Sequence, residues 1–535
     1  MQLNNFKKTF FIIVIVNIIF LNLLHSQTEQ LQKRKLTKAF SYIQDLYIDS
    51  VSEEEIVENA IIGMLEDLDP HSQYISKENV KMIEEPLKGN FDGIGIQFQI
   101  LDDTLYVINT LKSGPAAKNG ILPGDRIILL ENENIAGIGL SEFDARLKFL
   151  GIAGTKLNIG IKRFGSNSLL NFTIRREKLP IKSIEASYLV NNKTGYIKLN
   201  NFSATTVNEF NKVMSNFLAH GIENLILDIR GNGGGYLKTA VDICDHFIGE
   251  EKLIVFTEGK HSLKEEKLAN ISGYFENGRL TILINEGSAS ASEIVAGAVQ
   301  DWDRGVIIGR RSFGKGLVQR PLSLPDGSKL RLTIAQYYTP SGRSIQKPYN
   351  NGNEDYNHEL IERYNHGELL NKDSIHFPDS LKFETLISKR TVYGGGGIMP
   401  DIFIPIDTNV YTNYYQELLD KGIINLYSLN YANKNRELFK QAYPTFDRYI
   451  AEFDISEEMF GDFLVIAKKN EISFNEKEFQ RSKTKIRNRI IALIALNVFD
   501  LTEYYQIVNK EDLVFQKAIK VLSDKKLYKK VLSGK

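Results

Sequence analysis

Hydrophobic and polar positions along the chain fall into four regimes. Residues 28–89 carry apolar side chains at helical spacing, with Ile56, Ala60 and Met64 on one face beside Ile61 and Leu65. Ser52-Glu53-Glu54-Glu55 offers a hydroxyl and, three residues on, a carboxylate, the pair that caps a helix start. Pro70 then ends the helical pattern. From 90 to about 180 the pattern shortens into strands over 105–108, 126–130 and 157–161, with one short helix over 141–150. From 181 to about 405, continuous apolar runs alternate with helical stretches, which predicts an α/β core around a central sheet. Residues 225–228 and 280–284 read as its buried strands. From 412 onward the chain is polar, aromatic and helical. Its most apolar run, 490–496, is too short to cross a bilayer and reads as a buried helix, and Tyr414, Tyr415, Tyr504 and Tyr505 read as packing residues.

The 535 residues include 66 basic and 66 acidic side chains, a zero balance that argues against a nucleic-acid binder. The length suits about three or four domains. Cys244 is the only cysteine, so an intrachain disulfide and a cysteine-based zinc site are both excluded. His358 and His366 lie in a polar stretch without metal-ligand spacing and read as solvated loop. The basic end, 525–535, reads as a surface helix.

Lys7 and Lys8 precede an apolar run over 10–21 that gives way to Ser26-Gln27, the pattern of a secretory signal over 1–27. This predicts export to the periplasm or cell envelope, and an uncleaved anchor in the inner membrane stays open. No cysteine follows the run to carry a lipid.

The chemistry concentrates at Ser288-Ala289-Ser290-Ala291-Ser292-Glu293, between a buried strand and a helix. A serine at such a turn is presented at the sheet edge, and the N–H groups of the helix start lie where an oxyanion would develop. Small residues at a helix start are also ordinary caps. A serine nucleophile needs a base, and no histidine lies between His261 and His358. Lys315 sits between Gly314 and Gly316 ahead of a predicted strand. A lysine near pKa 10.4 must lose about 4–5 kcal/mol of preference for its proton to serve at neutral pH, which a tight apolar pocket supplies. Gln319, four residues on, falls on the same strand face and is placed to hold the amine. The spacing of Gly-Lys-Gly does not match a phosphate-binding Walker loop. Gly231-Asn232-Gly233-Gly234-Gly235 follows the strand 225–228 and offers bare N–H groups to join that of Ala291. It is equally a glycine-rich connection, and it lacks the spaced glycines of a dinucleotide loop.

These segments together resemble the carboxyl-terminal processing peptidases, tail-specific serine proteases with a Ser-Lys dyad. The resemblance covers roughly 30–408 and includes Leu68-Asp69-Pro70-His71-Ser72, Tyr338-Thr339-Pro340-Ser341-Gly342-Arg343 and Gly396-Gly397-Ile398-Met399-Pro400-Asp401. It implies Ser290 as nucleophile, Lys315 as general base 25 residues later, and Gln319 as its support. Asp301 matches a family Gln-Asp position and reads as structural. The family's Asn-Pro-Gly-Gly loop stands here as Asn232-Gly233-Gly234-Gly235, which leaves the oxyanion donors as Ala291 with Gly234, or Gly235 in second place. The implied fold is multidomain α/β, with a central-sheet (crotonase/ClpP-like) protease core over 179–408. An inserted PDZ domain over 90–178 and helical N-terminal (28–89) and C-terminal (409–535) regions complete it.

Residues 113–127, Ser-Gly-Pro-Ala-Ala-Lys-Asn-Gly-Ile-Leu-Pro-Gly-Asp-Arg-Ile, are similar to bacterial PDZ domains. Gly93, Ile94, Gly95 and Ile96 then stand where such a domain binds a substrate's C-terminal carboxylate, beside a strand edge open to an added peptide. The implied partners are proteins or peptides with free C-termini. A homodimer through the helical regions is compatible with the resemblance, membrane contact enters only with an uncleaved signal, and no nucleic acid, metal or organic cofactor is implied. The rival readings are a catalytically silent PDZ scaffold that binds C-termini and a crotonase-like acyl-CoA enzyme, against which the export signal counts.

Overall fold

The computed structural model describes residues 30–270, 272–350 and 352–534, so the expected signal over 1–27 lies outside the described residues. The chain divides into two compact units. The smaller comprises the N-terminal residues to Ile75 and the segment Pro321–Leu332. It holds a helix over 30–46 and the helix Glu53–Glu66, whose N-cap Ser52 accepts the Glu55 N–H as the capping pattern predicted. The helical pattern ends at Asp67, and Gln73–Ile75 forms a short strand antiparallel to 329–331.

The larger unit is built on a six-stranded sheet ordered Ile184–Asn191, Thr194–Leu199, Asn224–Asp228, Arg279–Ile284, Val306–Gly309, Ile402–Phe403. The first pair is antiparallel and every later pair parallel. Strands buried on both faces need no polar alternation, which is why 225–228 and 280–284 are continuous apolar runs. Ile197, Leu225, Leu227, Ile282 and Ile307 turn to one face, against the helices Thr206–Ala219, Leu237–Asp245 and Ala291–Asp301. Tyr196, Ile226, Leu283 and Ile308 turn to the other, where Phe515, Ala518, Val521 and Leu522 of the helix Leu513–Ser523 cover them. Each such aliphatic side chain contributes about 1.5–3 kcal/mol on burial.

The C-terminal helical region therefore does two jobs. Helices between Asn413 and Val508 enclose a separate aromatic-rich core that includes Tyr414, Tyr415, Phe439, Tyr449 and Ile490 to Ala495. The last two helices are the second layer of the central sheet. No helix among the described residues is long and apolar enough to cross a membrane, and the run 490–496 lies in the helix Glu476–Val498.

Strands Ile96–Leu101, Thr104–Thr110, Arg126–Leu130, Lys156–Lys162 and Leu170–Arg175 form an antiparallel sheet around Val107, Ile127, Ile159 and Ile161, with the helix Glu142–Phe149 alongside. The three strands and the helix expected between 105 and 161 are all present within two residues.

Candidate active site

Two loops at the carboxyl end of the parallel strands meet. The strand Arg279–Ile284 runs into 285–290, and the strand Asn224–Asp228 runs into 229–236. They are tied together at several points. Ala289 N–H and the Ser292 hydroxyl both donate to the Asn232 carbonyl, at 3.0 and 2.8 Å. The Ser288 hydroxyl donates to the Ile229 carbonyl at 2.8 Å, and Gly231 N–H to Asn285 Oδ1 at 2.8 Å. Small hydroxyl side chains therefore recur in this segment because they staple one turn to the next.

Ser290 stands at the head of the helix Ala291–Asp301 with φ 54° and ψ −114°, a conformation that costs a non-glycine residue about 1–3 kcal/mol. Such strain persists only where the surroundings fix it, and Glu293 does so. Its Oε2 accepts the Ser290 N–H at 2.8 Å and the Lys315 N–H at 2.9 Å. Its Oε1 accepts the Gly314 N–H at 2.7 Å and the Ser312 hydroxyl at 2.6 Å. One wholly buried carboxylate thus gathers the serine turn and the lysine loop. Burial pushes the Glu293 carboxyl up to about 7, against the opposing pull of these hydrogen bonds.

A second clasp closes from the other side. The Tyr337 hydroxyl sits 3.0 Å from the Ser290 carbonyl oxygen and 2.6 Å from that of Lys315. Tyr337 is buried on the strand Lys329–Tyr338, with its own N–H on the Gly316 carbonyl at 2.8 Å. Ser290 and Lys315 are therefore held at both their N–H and C=O ends, and both stay half-buried.

The chain matches peptidase family S41 over 193–352, a PDZ domain over 93–174, an activating protease CtpB N-terminal domain over 22–79 and a family of unknown function over 414–500. A carboxy-terminal-processing protease of Bartonella bacilliformis is 36% identical over 327 residues, covering 60% of this chain and 74% of that protein. The chain belongs to the S41 carboxy-terminal processing proteases, a family of serine-type peptidases. Carboxy-terminal processing protease CtpB of Bacillus subtilis is 34% identical over 316 residues, covering 58% of this chain and 65% of that protein, slightly under two thirds of its length. A solved photosystem II D1 C-terminal processing protease is 24% identical with a TM-score of 0.35, covering 58% of this chain and 89% of that one.

Within this S41 chain, two of the expected site residues have a different local setting. Gly234, expected to lend its N–H to an oxyanion, donates it to Asn232 Oδ1 at 2.9 Å. Its contribution is the absent side chain: at φ +107° a Cβ would lie 2.8 Å from Ser290 Cβ and 3.0 Å from Ala291 N. The Ala291 N–H, on the first turn of its helix, and those of Gly233 and Gly235 have no hydrogen-bond partner among the described residues. Gln319 was expected to share a strand face with Lys315, but the strand Leu317–Ser323 begins after Lys315. The Gln319 amide donates to Thr333 Oγ1 at 3.3 Å.

Asp301 is wholly buried, pairs with Arg343 at 2.8 Å, and accepts from Ser341 N–H and the Thr339 hydroxyl. That anchors the segment 338–343 to the helix after Ser290. His358 is exposed on the helix Asn353–Asn365 and His366 caps it; both are solvated, on a helix and its end rather than on a loop.

In the PDZ domain, Gly93 closes the strand Asn90–Gly93 opposite Glu177, just ahead of the turn at Gly95. The Ile94 carbonyl accepts from Ala116 N–H and the Gly95 carbonyl from Leu111 N–H, both at 2.9 Å. In a trans peptide the N–H opposes the C=O, so the Gly95 and Ile96 N–H groups point away from the domain body. Gly95 takes φ +77° to make this turn, and Ile96 opens the edge strand of its sheet.

Sequence reasoning missed Glu293 and Tyr337 as site residues. Glu293 had a signal, standing three residues after Ser290 at the head of a helix. Tyr337 had none.

Proposed function

We propose that this protein is an exported serine endopeptidase that cleaves protein substrates at or near their C-terminal tails. Ser290 attacks the scissile carbonyl while Lys315, as the neutral amine, takes the hydroxyl proton. The tetrahedral oxyanion is met by Ala291 N–H together with an N–H of the loop 233–235. The protonated amine returns its proton to the departing amine, leaving an acyl-enzyme on Ser290. Lys315 then removes a proton from water, which attacks the ester and frees the enzyme. Gln319 borders this loop as the orienting amide. The PDZ domain binds the substrate's terminal carboxylate at the turn 93–96 and takes up its last residues on the edge strand Ile96–Leu101.

The observation that carries the reading is the double clasp by Glu293 and Tyr337, which fixes the backbones of Ser290 and Lys315 side by side. Export rests on Lys7, Lys8 and the apolar run that follows. The test is a panel of substrates that differ only in their last residues, incubated with the protein and with Ser290→Ala. The reading expects cleavage that depends on the tail and vanishes in the variant. Tail binding with no cleavage at all would instead identify a silent scaffold.

A further inference from the structure

Asp512 joins the C-terminal helical region to the loop beside Ser290. Its Oδ2 accepts from Arg230 Nη1 at 2.8 Å, across 282 residues of sequence. The rest of the Arg230 guanidinium is spent on Asp228, Nη2 to Oδ2 at 2.6 Å and Nε to Oδ1 at 3.0 Å. Asp228 also accepts the Tyr196 hydroxyl at 2.9 Å and lies 3.5 Å from Lys198 Nζ. Lys198 donates in turn to the Arg230 carbonyl, the last backbone group before Gly231. Two carboxylates and two cations thus balance, with Asp228 and Lys198 buried and Arg230 mostly so.

Arg230 is where this cluster meets the chemistry. Gly231 to Gly235 follow it directly, and Gly234 lies against Ser290 and Ala291 N. The fork on Asp228 fixes the guanidinium plane, and Asp512, gripping the remaining Nη1, ties that plane to the C-terminal helices as a third point of attachment. Helix Leu513–Ser523 is itself immobilised on the sheet by Phe515, Ala518 and Val521, so Asp512 is a rigid second anchor.

We propose that Asp512 is a positioning residue for the oxyanion loop, acting through Arg230, and that the C-terminal helical region is thereby part of the reaction apparatus. This rests on the peptidase reading above.

Asp512 has a second task that allows a clean test. Its Oδ1 accepts the Phe515 N–H at 2.7 Å and caps the helix. Asn and Ser cap helices as well as Asp does. Asp512→Asn keeps the cap through its one oxygen and turns its NH2, a donor, toward Arg230; Asp512→Ser keeps the cap and falls short of Arg230. In the full chain, both variants are expected to lower kcat on a short peptide ester without a PDZ-binding tail about tenfold. KM and Tm stay near wild type, and labelling of Ser290 by a fluorophosphonate slows to match. In an Arg230→Lys background the Asp512→Asn change should add less than twofold.

Wild-type rates in both variants overturn the proposal, as does a loss of activity that merely follows a falling Tm. Amide hydrogen exchange over 231–235 reads the same loop with no reaction: faster exchange there in both variants supports the proposal, and unchanged exchange contradicts it. An unreactive wild type would reject the peptidase reading, while the exchange data would still decide the role of Asp512.

Discussion

Glu293 accepts the backbone N–H of Lys315 at 2.9 Å, joining groups 22 residues apart in sequence. The same oxygen holds the Ser290 N–H, so the turn that presents the hydroxyl and the loop that presents the amine share one anchor. Both Glu293 oxygens take two donors each. A protonated carboxyl must give up one of these, which couples the state of Glu293 to the geometry of the pair.

That coupling sets a pH dependence of stability. The folded-state value, about 7, lies above the ordinary 4.5, so the folded chain binds this proton more tightly than the unfolded chain. Stability from this group is complete below about 4.5 and is lost as pH rises toward 7, by about 3 kcal/mol in all. Glu293→Gln cannot titrate. The wild-type denaturant midpoint should therefore fall relative to that of Glu293→Gln as pH rises from 4.5 to 7, and parallel profiles would count against the assignment.

Tyr337→Phe removes the hydroxyl from between the Ser290 and Lys315 carbonyls and leaves two acceptors without it. We expect a loss of about 1–3 kcal/mol in unfolding free energy. Because a small misplacement of the pair is enough to slow reaction strongly, kcat should fall about tenfold or more. Equilibrium denaturation and single-turnover acylation measure the two effects separately, and an unaltered acylation rate would remove Tyr337 from the site.

Gly234→Ala places a methyl 2.8 Å from Ser290 Cβ at φ +107°. The added strain should cost about 1–3 kcal/mol of stability. Acylation of Ser290 should fall by about a hundredfold, because the methyl also lies 3.0 Å from Ala291 N, the group proposed to meet the oxyanion. Gly233→Ala is the control, since nothing lies within 4 Å of its Cβ. Equal acylation by the two variants would contradict the crowding argument.

Much of this architecture was legible in the chain. The strands 225–228 and 280–284 announce themselves as unbroken apolar runs because both faces of the sheet are covered, and Ser52 and Ser141 mark their helix starts by their hydroxyls. What stayed hidden depends on folding in three dimensions. Nothing local to Tyr337 says that its hydroxyl reaches two carbonyls, and nothing local to Asp512 says that it meets Arg230. The last helices read as part of a separate C-terminal region, yet Phe515 and Val521 cover the sheet of the core. Their apolar spacing shows that they bury a face without saying against what. The shared strand face expected of Lys315 and Gln319 did not hold because strand periodicity was counted from Lys315, which lies before the strand starts.

The central claim is that Ser290 becomes acylated with Lys315 as its base. Its most direct measurement is intact-mass analysis after brief exposure to an acylating peptide ester, for the wild type, Ser290→Ala, Lys315→Ala and Lys315→Arg. The account predicts one acyl group, mapped to Ser290, in the wild type alone, with all four proteins retaining their Tm. Acylation of Lys315→Ala at the wild-type rate, or an adduct on any other residue, would contradict it.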